Sequence, residues 1–214
     1  MPRDLQTWAN YAEALAFVGN SLLAPMNQTE TVGLQPEFWA AFPSFGNEEV
    51  AAAIGALAQY AKEAQRLANE GGNPVQQASV DYTKLFVGPP RPAAAPWETM
   101  YREGVTDTHV GFGAATFEMQ QLLREIGLEV SNENNQYADH MGIELLYASV
   151  LCTKLAAAAE SNADQGELES KLAEFIQTHP CAWIEEFQAA VHEAEPDSYV
   201  ARLLQLARAL LASL

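Results

Sequence analysis

Cysteine is nearly missing from this chain: of 214 residues only Cys152 and Cys181 carry a thiol. They stand far apart and outside any Cys-x-x-Cys spacing, which excludes a zinc ribbon and a disulfide framework and suits a reducing cytoplasm. Basic residues are scarce too, with 11 Lys and Arg against 28 Asp and Glu and a formal net charge of −17. Nucleic acid demands a positive stripe, so it is excluded as a partner, as is an anionic membrane surface. A cationic partner, or plain solubility, fits the charge. The first twenty residues, about one membrane span in length, are interrupted by Asp4, Asn10 and Glu13. They hold neither a basic start followed by a continuous apolar run nor a spanning segment, so the expectation is no signal peptide, no membrane insertion and a cytoplasmic protein. Alternating β-branched runs are almost absent. No Ser or Cys nucleophile sits in a recognisable elbow and no glycine-rich phosphate loop is present. Gly111-Phe112-Gly113 has no strand before it and is not a dinucleotide fingerprint.

Apolar helical sequence is what the chain has in quantity. With 49% hydrophobic and 18% charged residues it can bury a real core, and its length predicts one domain over residues 1–214. Trp8, Tyr11, Leu15, Val18 and Leu22 share a stripe of a helix over about residues 7–23. A loop over 25–33 precedes a short helix opened by Pro36 and carrying Phe38, Trp39 and Phe42. Asn47 is the predicted N-cap of a helix to about residue 69, with Glu48 and Glu49 in its first turn and Gly71-Gly72 as its stop. Asn73-Pro74 opens the next helix. Phe117, Leu122, Leu123 and Ile126 mark another, stopped by Gly127. After a polar loop over 131–136, a long helix over about 137–160 shows the stripe Met141, Leu145, Ala148, Cys152 and Leu155.

Leu168, Leu172, Phe175 and Ile176 predict a helix that closes at His179, because Pro180 disfavours helical geometry before it. Pro180 opens a further helix with Trp183, Ile184, Phe187 and Val191 on one side. The last helix, over about 198–214, carries Val200, Leu203, Leu204, Ala207, Leu210 and Leu211 near a 3.5 repeat. It is either bundle core or a dimer seam, and a terminal helix after a proline hinge is a candidate for swapping in a dimer. The expected class is all-α, a bundle of about eight to ten helices.

Residues 81–101, DYTKLFVGPPRPAAAPWETMY, break the pattern. Tyr82, Leu85 and Phe86 share a helical face, and then four of the 11 prolines, Pro89, Pro90, Pro92 and Pro96, forbid a helix or central strand. Trp97 and Tyr101 either fold back onto the core or are held apart as a binding surface. Asp139-His140, with Glu144 one turn on, leaves several readings open: two metal ligands on one helix face, an Asp-oriented acid–base histidine, a capping cluster, or carboxylates and an imidazole lining a peptide groove. His179 is expected to end its helix with the ring near the last carbonyls, and Trp183 to be core.

Tyr82-x-x-Leu85-Phe86-Val87-Gly88-Pro89, followed by Pro96-Trp97-Glu98-Thr99-x-Tyr101, resembles the signature loop of the TorD/DmsD family of redox-enzyme maturation chaperones. Asp139-His140-Met141-Gly142-Ile143-Glu144-Leu145 is similar to the family's second motif, and Phe175-x-x-x-His179-x-x-x-Trp183 to a third. The resemblance implies an all-helical cytoplasmic chaperone without catalysis, metal or cofactor. It would bind the twin-arginine leader of a molybdopterin-containing reductase subunit and delay export until that subunit's cofactor is loaded. The leader-binding positions it implies are Leu85, Phe86, Pro96, Trp97, Glu98, Tyr101, Asp139 and His140, joined within the same segments by Tyr82 and Glu144. The aromatic and aliphatic members would face the leader's apolar segment, and Glu98 and Asp139 its arginines. The reductase body is a further expected partner, and the chaperone itself a monomer or homodimer. The rival expectations are a helical dimeric scaffold without a peptide site, and a metal-assisted hydrolase using Asp139, His140 and Glu144.

Overall fold

Two glycines let two helices meet backbone to backbone. A computed structural model describes residues 3–102, 112–130 and 136–214. In it α1 (Leu5–Leu23) lies against α6 (Met141–Glu160). A Cβ on Gly19 would sit 2.8 Å from the Gly142 carbonyl oxygen, and one on Gly142 would sit 2.6 Å from that of Gly19. The backbones therefore touch, and Ser149 Oγ reaches across to donate to the Ala12 carbonyl at 2.7 Å. The α1 stripe predicted from periodicity (Trp8, Tyr11, Leu15, Val18, Leu22) is buried, as is the α6 stripe of Met141, Leu145, Ala148, Cys152 and Leu155.

The remaining α-helices are α2 (Pro36–Ala41), α3 (Glu48–Asn69), α4 (Pro74–Phe86), α5 (Ala114–Glu125), α7 (Gly166–Thr178), α8 (Ile184–Ala194) and α9 (Tyr199–Ser213). The described residues contain no strand, only one isolated antiparallel bridge, so the fold class is all-α. The chain gathers into two compact units. One comprises Met1–Leu23, Pro96–Glu185 and Leu214; the other comprises Ala24–Ala95 and Glu186–Ser213.

In the first unit α6 is also the one described helix long and apolar enough to cross a membrane, with 67% of its apolar window buried inside the protein. It begins at Met141 rather than near residue 137, because His140 is its N-cap: His140 Nδ1 accepts from the Gly142 N–H at 2.9 Å. Five residues of the predicted polar loop, 131–135, lie outside the described residues, as does Gly111. In α5 the inward face is Ala115, Thr116, Met119 and Leu123, so Phe117, one of the residues that mark this helix in the sequence, is 56% exposed. Pro180 opens a short 3-10 turn before α8 instead of the helix itself.

In the second unit the local signals act as the sequence predicts. Asn47 Oδ1 accepts from the Glu49 and Val50 N–H groups, Asn73 Oδ1 accepts from Gln76, and Gly71 takes a φ of +88° past the end of α3. α9 packs on α3 and α4, burying Val200, Leu203, Leu204, Leu206, Ala207 and Leu210. The proline loop turns back on α4, where Ala94 N donates to the Leu85 carbonyl at 2.9 Å.

The α1–α6 contact makes a paired prediction. Gly19→Ala gains about 1 kcal/mol of helix propensity but drives a methyl group into a backbone carbonyl, a strain of about 1–3 kcal/mol or more. Gly55→Ala, in α3 with nothing within 4 Å of the added Cβ, keeps the gain without the strain. Thermal melting should show Gly55→Ala above the parent and Gly19→Ala below it, at roughly 2–4 °C per kcal/mol; equal shifts would refute the tight contact.

Candidate functional site

In the first unit, two segments forty positions apart in sequence are joined by backbone. The Pro96 carbonyl accepts from Met141 N at 3.0 Å and Glu98 N donates to the Asp139 carbonyl at 2.9 Å, an antiparallel bridge centred on Trp97 and His140. The Asp139 carboxylate, fully buried, completes the join. Its Oδ2 accepts from Thr99 N (3.0 Å) and Thr99 Oγ1 (2.6 Å), and its Oδ1 accepts from Thr116 Oγ1 (2.9 Å). One carboxylate thus ties the 96–101 turn, α5 and the start of α6 together. Gly113 lets α5 begin this close, since a Cβ there would meet Thr99 Cγ2 at 2.5 Å.

Behind the turn lies Glu98, also fully buried. Its Oε1 meets Arg102 Nε at 2.9 Å, and its Oε2 meets His179 Nδ1 at 2.9 Å. The Glu144 carboxyl lies within 4.8 Å of the Glu98 carboxylate and accepts from Trp183 Nε1 at 3.1 Å. Tyr101 stacks on Trp183 with ring centroids 5.2 Å apart, and Phe175 stacks on His179 at the same separation. Burial, and then the neighbouring Glu98 charge, push the Glu144 carboxyl well above the usual carboxylate range. The shift favours the protonated, neutral form of this carboxyl. Burial pushes the His140 imidazole down to about 3, so the capping ring is neutral.

Among the described residues, Glu98, Glu144 and His179 form the one buried set whose ligating atoms all lie within 4.8 Å of one another. Two carboxylates and an imidazole are chemically acceptable metal ligands. Here, though, Arg102 and His179 already hold Glu98, and Trp183 donates to Glu144. The hydrolase expectation is corrected by the same geometry. His140 spends its Nδ1 on the helix cap and Asp139 is consumed by two threonines, so neither is free to activate water.

The expected leader-binding residues divide by unit. Tyr82, Leu85 and Phe86 are buried in the second, where Tyr82 and Phe86 meet edge to face at 4.9 Å and Phe86 lies 5.7 Å from Phe187. Pro96, Trp97, Glu98, Tyr101, Asp139, His140 and Glu144 come together in the first. Leu85, Glu98, Asp139, His140 and Glu144 are each 0% exposed, so in this conformation none presents a surface to a peptide. Glu98 and Asp139, expected to face arginines of a partner, are in this conformation paired with groups of the protein itself.

Sequence reasoning missed His179, whose ring pairs with Glu98 rather than with helix carbonyls, and also Thr99, Arg102 and Thr116. The spacing Phe175-His179-Trp183, one turn apart each time, was the available signal for His179. The outer side of the join is aromatic. Trp97 meets Tyr137 at 5.7 Å, Tyr137 meets Phe112 at 5.9 Å and Phe112 meets Phe117 at 5.0 Å. Phe112 and Phe117 are half-exposed and Tyr137 partly so.

The two shifted groups predict opposite pH behaviour. The Glu144 carboxyl ionises more easily unfolded than folded, so its contribution is present below its ordinary value of about 4.5 and is lost as pH rises toward the raised folded one, at up to roughly 1.4 kcal/mol per pH unit. Glu144→Gln, which keeps an acceptor for Trp183 and cannot ionise, should therefore gain on the parent in melting temperature as pH rises above about 4.5; parallel curves would refute the raised value. His140 is neutral folded and protonates unfolded, so its contribution is present above about 6.5 and is lost as pH falls toward about 3. His140→Asn keeps a capping acceptor and should flatten the acid limb of the stability curve. A variant with an unchanged acid limb would contradict the neutral, buried ring.

Comparison with known proteins follows this geometry. Residues 46–189, which contain both joined segments, match the family described as nitrate reductase delta subunit. The chain is 27% identical over 134 residues to the chaperone protein TorD of Shewanella pealeana, covering 61% of this chain and 55% of that one. It is 28% identical over 137 residues to TorD of Shewanella piezotolerans (61% and 57%) and 26% identical over 174 residues to TorD of Shewanella oneidensis (78% and 76%). The first two matches thus span little more than half the length of those relatives. The chain belongs to the nitrate reductase delta subunit family and, within it, to the TorD/DmsD group.

Proposed function

We propose that this protein is a cytoplasmic maturation chaperone, not an enzyme, that binds the twin-arginine leader of a molybdopterin-containing reductase subunit and shields it from export until cofactor is inserted. The observation that carries the reading is the join itself. The two segments whose motifs resemble leader-binding motifs are fused into one element by the Trp97–His140 bridge and the Asp139 carboxylate. In this role the buried residues hold the element in shape and the aromatic side chains at its margin meet the peptide. Trp97, Tyr101 and Tyr137 offer ring faces for apolar residues and guanidinium groups. The net charge of −17 draws a cationic leader toward the protein from a distance. The family membership and the chaperone names of the relatives support the reading, and the reductase body remains a second proposed contact.

Calorimetric titration with leader peptides from the host's molybdoenzymes, each compared with its twin-lysine variant, tests the proposal. Binding should require the arginines and weaken as salt rises, and Tyr137→Ala should reduce affinity about tenfold with its fold intact. Absence of binding by every leader would replace this reading with a helical scaffold.

A further inference from the structure

Three segments of the first unit each send one buried side chain to a common point: Glu98 from the turn after Pro96, Glu144 from the first turn of α6 and His179 from the end of α7. The two carboxylates are 0% exposed and His179 is 6% exposed, and a ligating atom of each lies within 4.8 Å of the other two. The Phe175-His179-Trp183 spacing has no part in leader binding, yet all three of its side chains serve this point. His179 supplies an imidazole, Phe175 stacks on its ring at 5.2 Å, and Trp183 donates to Glu144.

The contacts that already hold the carboxylates leave one oxygen of each turned to other work. Arg102 Nε meets Glu98 Oε1 at 2.9 Å, and Trp183 Nε1 donates to Glu144 Oε2 at 3.1 Å. Of the remaining oxygens, Glu98 Oε2 meets His179 Nδ1 at 2.9 Å, and Glu144 Oε1 is buried without a hydrogen-bond partner among the described residues. An orphaned carboxylate oxygen is costly to bury, and a second carboxylate beside it raises the cost. Arg102 is shared between Glu98 and Glu118, and Glu144 has no ion pair among the described residues, so negative charge is in excess. Metal ligands are commonly held on their far side by a second group that fixes their orientation. Arg102 does this for Glu98, Trp183 for Glu144 and the Phe175 ring face for His179. A cavity of about 500 Å³, lined by Phe175 and His179 and by the carboxylates of Glu125, Glu167 and Glu174, gives cations a way in.

We infer that Glu98, Glu144 and His179 form a site for one divalent transition-metal ion of the Zn²⁺ type, bound through Glu98 Oε2, Glu144 Oε1 and His179 Nδ1. Atoms bound to one such ion stand roughly 3–3.5 Å apart, so the set closes on it with small side-chain movements. Three protein ligands leave a fourth position open. An imidazole and so few oxygens select against Ca²⁺ and Mg²⁺, which take about six or more, mostly oxygen, ligands. The ion ties the 98–100 turn to α6 and α7 and stabilises the folded chain by binding it. The site goes beyond the leader-binding reading and does not depend on it.

The test uses the full chain freed of metal by a chelator, then titrated with Zn²⁺, Mg²⁺ or Ca²⁺ in calorimetry and thermal melting. One Zn²⁺ per chain should bind and raise the melting temperature by several degrees, with no such shift for Mg²⁺ or Ca²⁺. Glu144→Gln keeps the acceptor for Trp183 but loses the anionic ligand, and should weaken Zn²⁺ binding at least tenfold. Trp183→Phe keeps all three ligands and removes only the group that orients Glu144, so affinity should fall about 10–100-fold. His192→Gln, exposed in the second unit, should change nothing. Circular dichroism confirms the fold of each variant, and should Trp183→Phe misfold, the near-isosteric Glu144→Gln decides the matter. Absence of saturable Zn²⁺ binding by the parent overturns the inference. Parental affinity in both Glu144→Gln and Trp183→Phe also overturns it, because the ion then sits on surface carboxylates.

Discussion

The site in the first unit depends on a carboxylate that has no water. Glu98 is fully buried, and a buried carboxylate without compensation costs several kcal/mol. Three groups surround it: the Arg102 guanidinium, the His179 ring and the Glu144 carboxyl, whose own ionisation is disfavoured there. Each brings a different part of the chain. Arg102 extends from the same turn to Glu118 on α5, His179 ends α7, and Glu144 lies in the first turn of α6. A single desolvated charge thus sits where four segments meet, and Asp139 repeats the device with the hydroxyls of Thr99 and Thr116.

This arrangement separates residues that shape the site from residues that can touch a ligand. The side chains with the most distinctive sequence pattern are the most deeply enclosed, because buried polar groups need partners of fixed type and place. The open side chains around them, Phe112, Phe117, Leu128 and Val150, carry no pattern of their own. Contact with a peptide needs apolar area and rough shape, which many side chains supply. In this chain the motif residues are mostly the enclosed ones.

Much of the fold was legible where one stretch of sequence decides its own structure. The caps at Asn47 and Asn73, the stop at Gly71 and the stripes of α1 and α6 depend on neighbours within a turn or two, and they stand as the sequence predicts. The register of α5 was not legible. Phe117 turns outward because Thr116 must face Asp139, a partner from another segment whose demand outweighs the burial of one aromatic ring. The start of α6 was misplaced for a similar reason. Residues 137–140 look helical by composition, but they are spent on the bridge to Trp97 and on the His140 cap. At the site, the convergence of Pro96–Tyr101 with Asp139–Glu144 could be anticipated only through resemblance. The pairing of Glu98 with His179 depends on long-range packing that periodicity cannot report.

His140 and Glu144, one turn apart on α6, are pushed in opposite directions by the same burial: the acid holds its proton more tightly than it would in water, and the base less tightly. Unfolding relaxes both, so the carboxyl gives up a proton more readily and the ring takes one up more readily. The two changes in proton uptake oppose each other, and the start of this helix damps its own response to acidity.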